Sequence, residues 1–323
     1  MREDSSAIVS ASPPLSSSAA GLGWGLLGVA AFSLTVPFTR LAVAGGGMSP
    51  LFTGSARAVV AAVLAAAALA ATRQRLPRGA QWVRLAVVAG GVVVGFPVLT
   101  SFALTAAPAA HGAVVIALLP AATAVTAVLR GRERPPLAFW AAAAAGAVAA
   151  VVFAALAGGG LGAGPHWADA LLFGAVVAAA LGYAEGGLLA RELGAWQTVS
   201  WALVLAAPLM TALTAVSALR EPPSATPLAW AAFAYLAVVS MYLGFFAWYR
   251  GLAIGPMARV SQVQLVQPVL TIGWAALLLG EHLAWTTVLG GVAVVACAGG
   301  AVRTRLGAVA RPVAREDPGG RAG

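Results

Sequence analysis

The chain has 323 residues, of which 61% are hydrophobic and only 9% are charged, and its mean hydropathy is +0.91. A soluble protein of this length carries roughly 25% charged residues, so this composition excludes a water-soluble fold and requires lipid around most of the surface. The net charge of +9 comes from arginines that lie mostly between apolar runs. That distribution is typical of a membrane protein and excludes a basic groove for nucleic acid.

A helix needs about 20 apolar residues to cross the hydrocarbon core of a membrane. Seven tryptophans lie near the start of an apolar run, where an indole ring fits the headgroup layer: Trp24, Trp82, Trp140, Trp167, Trp196, Trp230 and Trp285. The sequence therefore predicts an all-α integral membrane protein, with residues 1–21 and 303–323 as disordered cytoplasmic tails. Its ten predicted spans are residues 22–44, 50–72, 83–105, 109–129, 137–157, 168–190, 197–219, 228–250, 256–279 and 284–302.

Loops that are rich in arginine alternate with loops that are poor in arginine along this series of spans. The poor loops contain only Arg220, whereas the rich loops contain Arg73, Arg75, Arg78, Arg84, Arg130, Arg132, Arg134, Arg191, Arg250 and Arg259. Because arginine resists translocation, the rich side is predicted to be cytoplasmic, with both chain ends on that side.

Two segments of the chain align with each other, "LLPAATAVTAVLRGRE" and "LVQPVLTIGWAALLLGE". Pro120 precedes Glu133 by thirteen positions, Pro268 precedes Glu281 by the same spacing, and the two pairs are 148 positions apart. The first copy lies in the fourth span and the second in the ninth, which run in opposite directions. The sequence thus predicts two inverted five-helix repeats, residues 22–157 and 168–302, with helix breaks at Pro120 and Pro268, a construction common among transporters.

These motifs, together with "SPLFTGSARAVVAAVL" and "WYRGLAIGPMARVSQVQLVQPVLT", resemble the EamA family of the drug/metabolite transporter superfamily. The resemblance covers residues 22–302. It implies ten helices, a central cavity, and alternating-access secondary transport across the bacterial cytoplasmic membrane, often export of small metabolites or drugs. An acidic residue in the sixth span, Glu185 in "GYAEGGLLAREL", departs from many relatives, so no substrate is carried over.

Charged side chains inside spans are costly and persist where they face a cavity or a partner. Arg57 lies about 10 Å into the second span, and we expect it to face the cavity. Arg40 lies closer to a span end and can reach the headgroups. Glu185 is either a proton-coupling group or a salt-bridge partner of Arg191, Arg250 or Arg259.

Further candidates for substrate contact are polar and aromatic residues of the second half. In the ninth span, Ser261, Gln264 and Pro268 share one helical face, and Gln267 lies off it. Their alternative role is hydrogen bonding between helices. Tyr183, Trp248 and Tyr249 are expected either to line the cavity or to pack helices together.

The histidines and the sequence motifs of the chain do not indicate an enzyme. His111 is expected at the membrane interface, His166 and His282 in outer loops, and the scattered histidines predict neither a metal site nor a cofactor. A membrane-embedded enzyme is the alternative class, but the chain lacks GxSxG and HExxH motifs. A non-transporting scaffold is another. The expected partners are a small-molecule substrate and the lipid bilayer, with a proton as coupling ion and a homodimer left open.

Overall fold

The computed structural model describes residues 15–45, 47–131, 136–157, 166–254, 260 and 263–309. All regular elements within these ranges are helical. The helices before residue 160 are α1 (Leu15–Ser33), α2 (Thr35–Val43), α3 (Pro50–Ala71), α4 (Gln81–Ala106), α5 (Ala109–Ile116), α6 (Leu119–Gly131) and α7 (Leu137–Ala157). Those after it are α8 (Trp167–Glu192), α9 (Ala195–Arg220), α10 (Pro227–Ile254), a 3₁₀ turn (Val263–Val266), α11 (Gln267–Leu279) and α12 (Trp285–Val309).

Seven helical segments of the described chain are long and apolar enough to cross a membrane. They are Ala19–Val43, Pro50–Ala71, Gln81–Ala106, Ala109–Arg130, Trp167–Glu192, Ala195–Arg220 and Pro227–Ile254. Three shorter apolar helices, Leu137–Phe153, Val263–Leu279 and Trp285–Gly300, lie where the fifth, ninth and tenth spans are predicted. The helices also extend into both predicted tails, because α1 begins at Leu15 and α12 continues to Val309.

Several helices begin and end at residues suited to those positions. Ser49 caps α3 by accepting a hydrogen bond from the Phe52 backbone N–H at 3.2 Å, and Thr226 caps α10 in the same way. Proline follows each cap, where its missing N–H costs nothing. α11 ends at Gly280, whose φ of 64° is strained for any residue with a Cβ.

Four interruptions shape the interior of the bundle. α1 and α2 are separated by a turn at Leu34, and α5 and α6 by a turn just before Pro120. α4 and α10 each continue through a π-helical stretch, Ala89–Gly95 and Tyr235–Gly244. Such stretches are rare and concentrate at functional sites.

The main helix contacts join one half of the chain to the other. α3 packs against α9, α7 against α12, α1 against α10, α4 and α6 against α8, and α5 against α11. Glycine permits the closest of these approaches: a Cβ at Gly28 of α1 would lie 2.9 Å from the Trp248 backbone nitrogen of α10. The space enclosed by these contacts therefore lies between the two halves.

Candidate functional site

A cavity lies at the centre of the bundle, in two adjoining compartments that share Val36 and Gln267. The larger compartment has a cavity volume of about 20 Å³. Its walls are Phe32, Thr35, Val36, Arg57, Val92, Phe96, Pro97, Ala179, Tyr183, Ser240, Met241, Phe245 and Gln267. The smaller compartment is bounded by Val36, Ala113, Ile116, Leu119, Pro120, Gln264, Gln267, Pro268 and Thr271. We call both compartments together the central cavity.

Arg57 is the one charged side chain in the wall of the central cavity within the described part of the chain. It is only 1% exposed. Its Nη1 lies 3.4 Å from Thr39 Oγ1, a long hydrogen bond, while Nε and Nη2 have no partner among the described residues. A buried guanidinium with two free donors can bind an acceptor that enters the cavity.

The other polar groups of the cavity are hydroxyls and amides. Thr35 Oγ1 and Ser240 Oγ lie 2.7 Å apart and join α2 to α10. Gln264 Nε2 and Gln267 Oε1 are buried and have no hydrogen-bond partner in the described structure. These side chains can exchange hydrogen bonds with a polar ligand without first breaking strong internal bonds.

Pro120 and Pro268 face the smaller compartment together. Each is the second residue of a helix that begins at the cavity, α6 and α11 respectively. The N-terminus of a helix carries a partial positive charge and unpaired N–H groups.

The cavity wall follows the internal repeat. Six pairs of wall residues are separated by 148 positions, the offset between Pro120 and Pro268. The pairs are Thr35 and Tyr183, Val92 and Ser240, Pro97 and Phe245, Ile116 and Gln264, Leu119 and Gln267, and Pro120 and Pro268. In four pairs an apolar residue or proline of the first half corresponds to a polar residue or an aromatic ring of the second. The recognition groups are thus unequally divided between the halves.

The end of the bundle at which α8 ends is closed by an ionic cluster between the halves. Glu185, whose side chain is 5% exposed, accepts a hydrogen bond from Arg84 of α4 and forms an ion pair with Arg130 of α6, with 2.8 Å between Nε and Oε2. Arg84 also contacts the more exposed Glu192 at 2.6 Å. We call Arg84, Arg130, Glu185 and Glu192 the Glu185-end seal.

The end at which α8 begins is closed by a second set of contacts between the halves. The Glu281 carboxylate accepts hydrogen bonds from the backbone N–H groups of Ala109 and Ala110, at 2.7 and 2.9 Å, and so caps α5. His111 Nε2 lies 2.6 Å from Asp169 Oδ1. Asp169 also accepts from the His166 backbone N–H in a capping box that starts α8. We call these contacts the Asp169-end seal.

The predicted site residues fall into three groups. Arg57, Tyr183, Gln264, Gln267, Pro120 and Pro268 line the central cavity, whereas Ser261 lies outside the described residues. Trp248 and Tyr249 do not line it. They are fully packed behind Tyr183, with the Tyr249 hydroxyl donating to the Gly182 carbonyl at 3.3 Å.

Glu185 also lies apart from the cavity wall, in the Glu185-end seal. The sequence proposed Arg191, Arg250 or Arg259 as its partner, and the structure pairs it instead with Arg84 and Arg130. Arg250 lies over the Trp24 ring, at 5.5 Å from its centroid, and Arg259 is outside the described residues. All three proposed partners belong to the second half of the chain, whereas the actual partners come from two spans of the first half.

Sequence reasoning did not single out Thr35, Ser240 or Asp169. All three are buried polar residues within apolar helices, which is a signal in itself because such groups require partners. His111 was expected at the membrane interface, but its side chain is 13% exposed and pairs with Asp169.

Comparison with known proteins explains this arrangement. Residues 19–155 and 166–302 each match the EamA-like transporter family. The chain belongs to this family. It is also 44% identical over 291 residues to the protein named "Uncharacterized transporter YdeK" of Bacillus subtilis (strain 168), covering 87% of this chain and 97% of that relative. One solved protein, described as "Crystal structure of protein", shares the fold with a TM-score of 0.62, at 19% identity over 90% of this chain and 98% of that chain.

This EamA-like protein is therefore a multi-pass transporter of the cytoplasmic membrane, built from two family repeats. A transporter of this kind binds a small molecule and is surrounded by lipid. The central cavity, which lies between the repeats and contains unpaired polar groups, is the candidate site for that molecule.

Proposed function

We propose that this protein exports a small organic molecule across the bacterial cytoplasmic membrane by alternating access. The observation that carries the proposal is a cavity between two halves with a separate seal at each end. Because each seal joins one half to the other, a rocking motion can open either seal while the other holds. A site of this kind is accessible from one side of the membrane at a time.

The helix contacts support ten spans in two inverted repeats. Exchanging each of the first five spans with its counterpart in the second five replaces α1 by α8 and α10 by α4, so that the α1–α10 contact becomes the α4–α8 contact. The contacts α3–α9, α7–α12 and α5–α11 are unchanged, because each joins a span to its own counterpart. The π-helical stretches of α4 and α10 also coincide when shifted by 148 positions. A pseudo-two-fold axis through the central cavity accounts for all of these relationships.

The distribution of arginines supports an orientation with both ends cytoplasmic. Arg73, Arg75 and Arg78 lie beside Glu192 in one surface groove, at the end that also holds Arg84 and Arg130. The opposite end holds Arg40, beside Glu281. By the positive-inside rule, the Glu185-end seal faces the cytoplasm.

Two experiments test orientation and direction. A reporter that is active only in the periplasm should be silent when fused after Arg305, and a strong signal there would contradict the topology. Export predicts ATP-independent accumulation of substrate in everted membrane vesicles, under an imposed ion or pH gradient, that is absent from vesicles without the protein. Accumulation only in right-side-out vesicles would instead indicate import.

Glu185 is our candidate for coupling transport to protons, because its buried carboxylate joins the two halves at the Glu185-end seal. Glu185→Gln keeps the shape of the side chain and removes its carboxylate. We expect this variant to retain substrate binding and to lose flux driven by a pH gradient. Full pH-driven flux at normal expression would leave Glu185 with a role in ion pairing alone.

A further inference from the structure

No residue of the described chain provides a counter-ion for Arg57. Its guanidinium is buried, two of its nitrogens have no partner among the described residues, and its remaining contact is a long hydrogen bond to a hydroxyl. A charge removed from water without a counter-ion is strongly disfavoured. The cavity is therefore built to be completed by an anion.

The acidic side chains of the described chain are engaged or exposed elsewhere. Glu185 and Glu192 bind arginines at one end, and Asp169 and Glu281 bind His111 and backbone N–H groups at the other. Glu221 is exposed beyond the end of α9. Residues 255–259 and 261–262, which precede the cavity residue Gln264 in the sequence, contain no Asp or Glu. Because no described carboxylate reaches Arg57, we expect the bound molecule to supply the negative charge.

The same arrangement disfavours a cationic group on that molecule. None of the described residues lining the cavity is acidic, so a bound ammonium group would share a low-dielectric space with the Arg57 guanidinium. Like charges in such a space repel strongly. The site thus selects against amines and, to a lesser degree, against zwitterions.

The remaining walls fit an apolar body. Phe32, Phe96, Met241 and Phe245 line the larger compartment together with Arg57. Aromatic walls bind flat apolar groups well. The Thr35–Ser240 hydroxyl pair lies in the same compartment and can donate a hydrogen bond to a second carboxylate oxygen.

We propose that the substrate is a small amphipathic monoanion: a carboxylate held by Arg57, joined to an apolar body, with no cationic group. That this ligand is also the transported molecule rests on the proposed transport function. Arg57 is then the residue that determines specificity for the anion.

The test uses four compounds that share a phenethyl group and differ in charge: hydrocinnamate, phenylalanine, phenethylamine and phenethyl alcohol. Binding to the purified full-length protein is measured by isothermal titration calorimetry. We expect hydrocinnamate to bind at least about tenfold more tightly than the other three. Arg57→Gln should raise its Kd at least about tenfold and change that of phenethyl alcohol less than about twofold. The matched control is Arg220→Gln, which removes an exposed arginine and should leave all four affinities unchanged.

Three results would overturn the proposal: tighter binding of phenylalanine or phenethylamine, hydrocinnamate affinity that does not depend on Arg57, or no saturable binding of hydrocinnamate by folded protein. If Arg57→Gln does not fold, Arg57→Lys retains the charge but not the forked donors, and should bind the anion with intermediate affinity. Flux into proteoliposomes separates the two proposals. Arg57-dependent binding without flux would contradict the transport proposal and leave the anion proposal standing. Flux of a cation that does not depend on Arg57 would contradict the anion proposal and leave the transport proposal standing.

Discussion

Glu185 of α8 and Arg130 of α6 form an ion pair, with 2.8 Å between Oε2 and Nε. The two residues belong to different repeats of the family. The pair therefore closes the bundle across the boundary between the halves, and its second oxygen binds Arg84 in the same way.

The first prediction is that Glu185→Gln lowers the thermal stability of the protein in detergent. The substitution removes the negative charge between two arginines, and loss of one partner of a buried charge-assisted pair costs about 1–3 kcal/mol. The control is Glu192→Gln, which removes a carboxylate that is 45% exposed and shares Arg84. It should cost less than about 1 kcal/mol. Equal losses of Tm in the two variants would contradict a special role for Glu185.

The second prediction concerns the contact between α8 and α10. A Cβ at Gly186 would lie 2.2 Å from the Tyr249 hydroxyl oxygen, and Tyr249 is fully buried and cannot move aside. Gly186→Ala should therefore destabilise the protein by about 1–3 kcal/mol, measured as a lower Tm. Gly273→Ala is the matched control, since no atom lies within 4 Å of its added Cβ, and alanine in a helix should stabilise by about 0.5–1 kcal/mol. A neutral Gly186→Ala would show that the two helices are not held this closely.

The sequence predicted much of this fold, because the length of apolar runs and the placement of arginine depend on the membrane and not on tertiary contacts. Arg57 was predicted for the cavity by the same reasoning, since a charge that deep in a span requires a special environment. Trp248 and Tyr249 were predicted less well. They resemble the cavity residue Tyr183 in chemistry, and only the glycines that face them, Gly28 and Gly186, place them in helix packing.

The seals could not be predicted for a related reason. Asp169 and His111 are 58 positions apart, and Arg84 and Glu185 are 101 apart, so neither pair has a signature in one chain. The repeat offers a partial signal. Positions 148 residues apart line the cavity together, which would have led from the candidate Tyr183 to Thr35.

The third prediction is that Arg57→Met raises the thermal stability of the ligand-free protein while it reduces anion binding. A thioether side chain of similar length removes an uncompensated charge and keeps most of the packing. A gain of about 1 kcal/mol corresponds to a Tm higher by about 2–4 °C for a domain of 150–250 residues. Arg220→Met is the control at an exposed position, where substitutions usually have little effect on stability. It should change Tm by less than about 1 °C. A large loss of stability in Arg57→Met would indicate that the guanidinium is satisfied within the protein.

The last prediction is that weakening the two seals shifts one conformational equilibrium in opposite directions. If the protein alternates between two states, weakening the Glu185-end seal favours the state open to the cytoplasm, and weakening the Asp169-end seal favours the other. Glu185→Gln and Glu281→Gln, at about 1–2 kcal/mol each, should shift the ratio of states by about 5–30-fold in opposite directions. The double variant should return close to the original ratio.

The measurement uses Ser240→Cys, in the cavity wall, combined with Cys297→Ala, which removes the native cysteine. A membrane-impermeant maleimide is applied to everted and to right-side-out vesicles. Glu185→Gln should speed labelling in everted vesicles, where the cytoplasmic face is outside, and Glu281→Gln should speed it in right-side-out vesicles. Because the two shifts are free energies of one equilibrium, they must cancel in the double variant. Faster labelling of both single variants from the same side, or a double variant labelled rapidly from both sides, would show that the contacts hold the fold together and do not control access.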